Sequence, residues 1–138
     1  MKNNDFVIRA LKSLENSSLK VTSQRKKLIK LLFSHGNAHF SVEQIYKIAQ
    51  KQDLKISLAT IYNSLNQFTK NGIIKSIKVS RDKIYFDTNL EDHHHFYSKS
   101  SEELTDIKSS SIVISKLPNI PKGKKLSSVD VIVNLDDV

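Results

Sequence analysis

The chain has no cysteine among its 138 residues, which removes disulfides, thiolate zinc sites and a cysteine nucleophile together. Glycine and proline are scarce as well, at three and two residues, yet 38% of the chain is hydrophobic, so the composition is that of a folded protein and not of a disordered or low-complexity one. No apolar run approaches the roughly 20 residues that a membrane span requires. Near the N-terminus the apolar run is only Phe6-Val7-Ile8, too short for a signal sequence, and a cytoplasmic protein is expected. A glycine-rich loop and any catalytic motif are also missing, which argues against an enzyme. A chain of this length holds one ordinary core or two small ones.

Acid is scarce only in the front of the chain. Residues 1–90 carry 16 Lys/Arg against 6 Asp/Glu, a net +10, whereas residues 91–138 carry 6 against 8, a net −2. A positive field over one domain attracts polyanions, so nucleic acid or an anionic membrane becomes the leading partner class, with a merely solubilising surface as the alternative.

Helix signals then follow one another. In "VTSQRKKLIKLLF" (21–33), Thr22 or Ser23 can cap a helix in which Leu28, Leu31 and Leu32 repeat at helical spacing. "FSVEQIY" holds a capping box of Ser41 and Gln44, with Phe40 and Ile45 as a hydrophobic staple. "ISLATIYNSLNQFTKNG" opens a third helix at Ser57, staples Ile56 to Ile61, and stops at Asn71-Gly72, expected in left-handed conformation. On that helix Leu58, Ile61, Leu65 and Phe68 form a core stripe, leaving Thr60, Asn63, Gln67 and Lys70 outward. Two helices joined by the short connection 52–56 make a helix-turn-helix. "IIKSIKVSRDKIYFD" adds a hairpin turning at Ser80-Arg81-Asp82, and the whole reads as a winged helix with Lys75, Lys78, Arg81 and Lys83 on or beside the wing.

Beyond residue 91 the pattern changes. "FYS", "ELTDIK" and "SSVDVIVNL" are short strand-like runs, the last with Val129, Val131, Val133 and Leu135 on one face. "SSSIVISK" reads as a short helix, and Pro118 and Pro121 break the chain after it. So small a core needs a partner surface, most simply a second copy of itself. The expected class is α+β: an N-terminal winged helix-turn-helix over 1–90 and a small α/β dimerisation and ligand-sensing domain over 91–138.

"VTSQRKKLIKLL", "SVEQIYKIAQ", "ISLATIYNSLNQFTKNGIIK" and "KIYFDTN…HHHFYS" together resemble the ferric uptake regulator (Fur) superfamily over nearly the whole chain. Within it, "SLATIYNSLNQ", "YFDTN", "HHHFY" and "SSEELTDI" resemble most the iron response regulator (Irr) branch of alphaproteobacteria, which is associated with haem. The resemblance implies a homodimeric transcriptional regulator that binds operator DNA according to iron or haem status. A zinc- or peroxide-responsive repressor of the same family stays open. So does a metal- or haem-binding protein without a regulatory role, whereas a small metal-dependent hydrolase on the same ligands lacks a general base beyond them, a glycine-rich loop and a catalytic motif.

Carried over position by position, the resemblance places DNA contacts on Arg25, Ser57, Thr60, Tyr62 and Asn63. Asn63 stands where many relatives have arginine, and asparagine pairs best with an adenine edge, so an AT-leaning operator is expected. Tyr62 either touches DNA or lies partly in the core. In "EDHHHFYSKS" an extended chain turns His93 and His95 to one face and His94 to the other. The resemblance adds His39, Asp87 and Asp106 to His93 and His95 as ligands for a zinc, iron or manganese ion, a nitrogen and oxygen set that suits these metals. Haem would take His93, His94 or His95, or Tyr97, as its axial ligand. Ser98 and Ser101 stand where relatives carry the first cysteine pair of a structural zinc site, so that site is not expected. The histidine run is expected ahead of the first dimerisation strand, at the junction of the two domains.

Overall fold

Three side-chain caps start three helices in the computed structural model, which describes residues 2–138. Thr22 accepts the Arg25 N–H, Ser41 accepts the Gln44 N–H while the Gln44 side chain accepts the Ser41 N–H, and Ser57 accepts the Thr60 N–H. Each satisfies an orphan donor of the first turn, worth about 1 kcal/mol. The described chain divides between Leu90 and Glu91 into two compact units.

The first unit holds α1 (Asn3–Glu15), α2 (Ser23–Phe33), β1 (His39–Ser41), α3 (Val42–Lys51), α4 (Leu58–Lys70), β2 (Lys75–Ser80) and β3 (Lys83–Asp87). Its core joins Leu14, Leu28, Ile29, Leu32, Ile45, Ile61, Leu65 and Phe68, all fully buried, with Ile73, Ile74 and Phe86. Truncating one such leucine or isoleucine to alanine costs about 2–5 kcal/mol. Helix α1 adds to the sequence reading, which takes from this segment only that Phe6-Val7-Ile8 is too short for a signal sequence. Phe6, Val7, Ala10, Leu11 and Leu14 follow helical spacing and pack on the core.

The α3–α4 turn is closed without glycine. Asp53 adopts φ +54°, and Leu54 N–H reaches back to Ala49 O while Asp53 N–H bonds Gln50 O. The end of α4 corrects one expectation: Gly72 alone is left-handed, at φ +71°, whereas Asn71 has φ −94° and ψ 8°. Ile73 N–H then bonds Phe68 O, and Asn71 instead uses its side-chain amide on the Gln67 carbonyl. A second correction concerns Leu58, which is exposed because, at the first helical position, it lies at the rim of the stripe defined by Ile61, Leu65 and Phe68. The wing is antiparallel β2–β3, and β1 adds a third strand on the other side of β3, in the order β1-β3-β2.

The second unit is a three-stranded sheet in the order β5-β4-β6, built from β4 (His93–Ser98), β5 (Glu103–Lys108) and β6 (Ile132–Leu135). The central β4 runs antiparallel to β5 and parallel to β6. "SSSIVISK" does not form the expected helix: a single 3-10 turn covers Ser109–Ser111, and residues 112–131 cross irregularly to β6. Val113, Ile114, Leu117, Ile120 and Leu126 on that crossing are exposed, so they lack the buried face that would hold a helix there. The last strand is shorter than its alternation implied, and Leu135 is exposed. Phe96, Val133 and Leu135 share the face of the sheet that also carries His94.

Candidate metal centre and nucleic-acid interface

The histidines lie inside β4 itself, not ahead of it. Residues directly opposite in an antiparallel pair share a face, so the pairing of His95 with Asp106 and of His93 with Lys108 turns both rings and the Asp106 carboxylate to one side. His93 Nε2 is 3.5 Å and His95 Nε2 3.3 Å from the same Asp106 Oδ1, and the two ring centroids are 4.5 Å apart. Around a tetrahedral ion with bonds of about 2.0–2.1 Å, neighbouring donors stand about 3.3–3.4 Å apart. Both histidine-to-carboxylate spacings therefore match the edge of such a site, and the ligand atoms of this cluster all lie within 4.8 Å of one another.

The tautomer of His93 fits as well. Its Nδ1 is 2.6 Å from the Glu91 carbonyl, which can only accept, so Nδ1 carries a proton, and in the neutral ring Nε2 offers its lone pair on the Asp106 side. His94 is different. On the opposite face its Nδ1 accepts the Val131 N–H at 3.1 Å, and beside it His95 N–H bonds Val131 O, so His94 fastens the start of β6 to β4. The His93 and His95 side chains are only 8% and 6% exposed, and such enclosure suits a bare ion better than a flat macrocycle.

In the first unit, His39 and Asp87 are register partners on β1 and β3, with Lys75 opposite Asp87 on β2, so all three start from one face of that sheet. Asp87 is 1% exposed, and its Oδ1 accepts the Asn89 N–H at 2.8 Å. Thr88 ties the preceding loop: its hydroxyl accepts the Ala38 N–H and lies 2.9 Å from the Gly36 carbonyl. Neither β1 nor this threonine was foreseen, since a three-residue strand has too little alternation to read. The structure thus groups His93, His95 and Asp106 in the second unit and pairs His39 with Asp87 in the first.

The expected DNA contacts gather around α4. Ser57 is held at the cap, donating its hydroxyl to Thr60 Oγ1 at 2.9 Å, and Asn63 and Tyr62 are exposed. Tyr62 is accordingly a surface residue. Arg25 reaches α4 from α2: Nη2 donates to Gln67 Oε1 at 2.9 Å and Nη1 to the Lys20 carbonyl at 2.6 Å. That bond was not foreseen, and it leaves the Gln67 amide N–H groups as the donors turned outward. On the wing Lys78 and Arg81 are exposed, while Lys75 and Lys83 are half-buried, Lys83 Nζ lying 5.5 Å from the Tyr85 ring centroid. Among the described residues no helix is long and apolar enough to cross a membrane.

A sequence model of the Ferric uptake regulator family matches residues 16–134. The chain belongs to the ferric uptake regulator family. Relatives within that family include the ferric uptake regulation protein of Neisseria meningitidis, 34% identical over 94 residues, which are 67% of this chain and 65% of that protein. The peroxide-responsive repressor PerR of Staphylococcus saprophyticus is 29% identical over 97 residues, 70% of this chain and again 65% of the relative. The matched stretch thus spans just under two thirds of these relatives. Among solved structures, the ferric uptake regulator from Pseudomonas aeruginosa with manganese has a TM-score of 0.67 at 22% identity, covering 98% of this chain and 97% of that one. That similarity establishes a shared fold.

Proposed function

We propose that this chain is a metal-responsive transcriptional regulator that binds operator DNA as a homodimer in the cytoplasm. The observation that carries the reading is the convergence of His93, His95 and Asp106 on donor spacings that suit one divalent ion. We assign His39 and Asp87 as the further ligands. In support, they are paired across two strands of the first unit and offer the same nitrogen and oxygen chemistry. Zinc, manganese and ferrous iron all accept such donors, and the structure of the Pseudomonas aeruginosa regulator is one with manganese. Bound there, the ion would supply a fixed positive charge and orient its ligands; DNA recognition belongs to the chain's own side chains.

Arg25, Ser57, Thr60, Tyr62 and Asn63, with the +10 charge of residues 1–90, form the DNA-contacting set. Phe96, Val133 and Leu135 offer an apolar sheet face for a second copy, and two winged helices would then meet a palindrome. As for the branch within the family, the enclosed histidines favour metal-ion sensing over the haem sensing of the Irr branch. A regulator fits the outward face of α4, which neither a hydrolase nor a passive metal store uses.

The test is fluorescence anisotropy of the purified protein on DNA from its own upstream region, with manganese or zinc, with chelator, and with haem. Metal should change the affinity at least about tenfold, within the usual range of allosteric coupling, and chelator should reverse it. Haem alone producing that change would transfer the reading to haem sensing. No response to any of the three would overturn it.

A further inference from the structure

Beside Thr60, Asn63 and Gln67, the N-terminal part of α4 carries an apolar sector that joins Tyr62 to two residues not yet given a role. Leu58 is 43% exposed, as is Tyr62, and Ala59 is exposed with them. At about 100° per residue these three occupy one sector of the helix, and Thr60 and Gln67 point away from it. They line a groove of about 460 Å³ that Arg81 and Lys83 of the wing border on the other side.

Resting on the assignment of α4 as the DNA-reading helix, we propose that this apolar shoulder reads the 5-methyl groups of thymines in the major groove. Leu58 and Ala59 then set a preference for T beside the position read by Asn63. The chemistry is specific. The thymine methyl is the apolar feature of the major-groove code, and the other base edges present hydrogen-bonding groups that leucine and alanine cannot answer. The N-terminal residues of a recognition helix are those that reach base edges, and Leu58 and Ala59 are the first two residues of α4.

Charge on the groove points the same way. Arg81 and Lys83 favour an anionic backbone along the wing, while Glu43 and Asp82, which also line the groove, oppose a compact anion inside it. A duplex separates these demands, with phosphates on the cationic border and methyl groups against the apolar wall.

The experiment uses the full chain and two duplexes of its own upstream region, one with thymine and one with deoxyuridine throughout, which removes only the methyl groups. Wild type should bind the uracil duplex about fourfold more weakly for each contacted methyl, the factor that corresponds to burying one such group. Leu58→Ala should weaken binding to the thymine duplex and lose most of the discrimination, with its melting temperature lowered by no more than about 5 °C because the side chain is only partly covered. Equal binding of both duplexes by wild type, or full discrimination retained in Leu58→Ala, would overturn the inference while leaving DNA binding intact. Binding of neither duplex, with or without metal, would overturn both readings.

Discussion

Replacing Thr88 with valine keeps the side chain's shape and removes its hydroxyl. That hydroxyl accepts the Ala38 N–H at 3.0 Å and offers its proton to the Gly36 carbonyl at 2.9 Å or the Ala38 carbonyl at 3.1 Å. Thr88 is 5% exposed, so water does not readily replace these bonds. With net bonds worth about 1 kcal/mol and each stranded buried partner costing up to about 3, Thr88→Val should cost about 2–4 kcal/mol. For a unit of this size that lowers the melting temperature by about 10–30 °C, read by far-ultraviolet circular dichroism in chelator. Thr88→Ser keeps the hydroxyl and should stay within about 1 kcal/mol of wild type. Because His39 directly follows the tethered Ala38, Thr88→Val should also weaken metal binding under the proposed ligand set. A Thr88→Val protein that melts within about 3 °C of wild type would refute the reasoning.

Asp106→Ala should lower affinity for manganese or zinc by at least about tenfold, whereas His94→Ala should leave it nearly unchanged and instead cost about 1 kcal/mol through the lost Val131 bond. Calorimetric titration and thermal melting separate the two, and equal metal losses would contradict the division of faces. Ser41→Ala should cost about 1–2 kcal/mol in urea unfolding, because the capping box loses its side-chain acceptor. Arg25→Ala should lower DNA affinity and reduce the salt slope by about 1; an unchanged slope would remove Arg25 from the phosphate contacts.

Helices α2, α3 and α4 were readable because each begins at a polar cap followed by helical periodicity, signals confined to a few neighbouring residues. The wing was readable for the same kind of reason, as two alternating runs around Ser80-Arg81-Asp82. Helix α1 lacks a strong side-chain cap, and β1 is too short to alternate, so both depend on tertiary packing that no local window contains. Leu58 was misassigned because periodicity fixes a direction around the helix but not how far the core extends along it. Asn71 was misassigned because Gly72 alone supplies the left-handed residue. For the histidines, alternation separated His93 and His95 from His94, but only the β4–β5 register brings Asp106 opposite His95. The Val131 bond to His94 spans 37 positions and leaves no local trace.

The central claim is that an ion at His93, His95 and Asp106 governs DNA binding, and it is tested most directly by operator affinity as a function of manganese in wild type and in His95→Ala. Wild type should show at least a tenfold change in affinity across the titration, and His95→Ala, folded to the same circular dichroism spectrum, should show almost none. An identical metal response in both proteins would contradict the account.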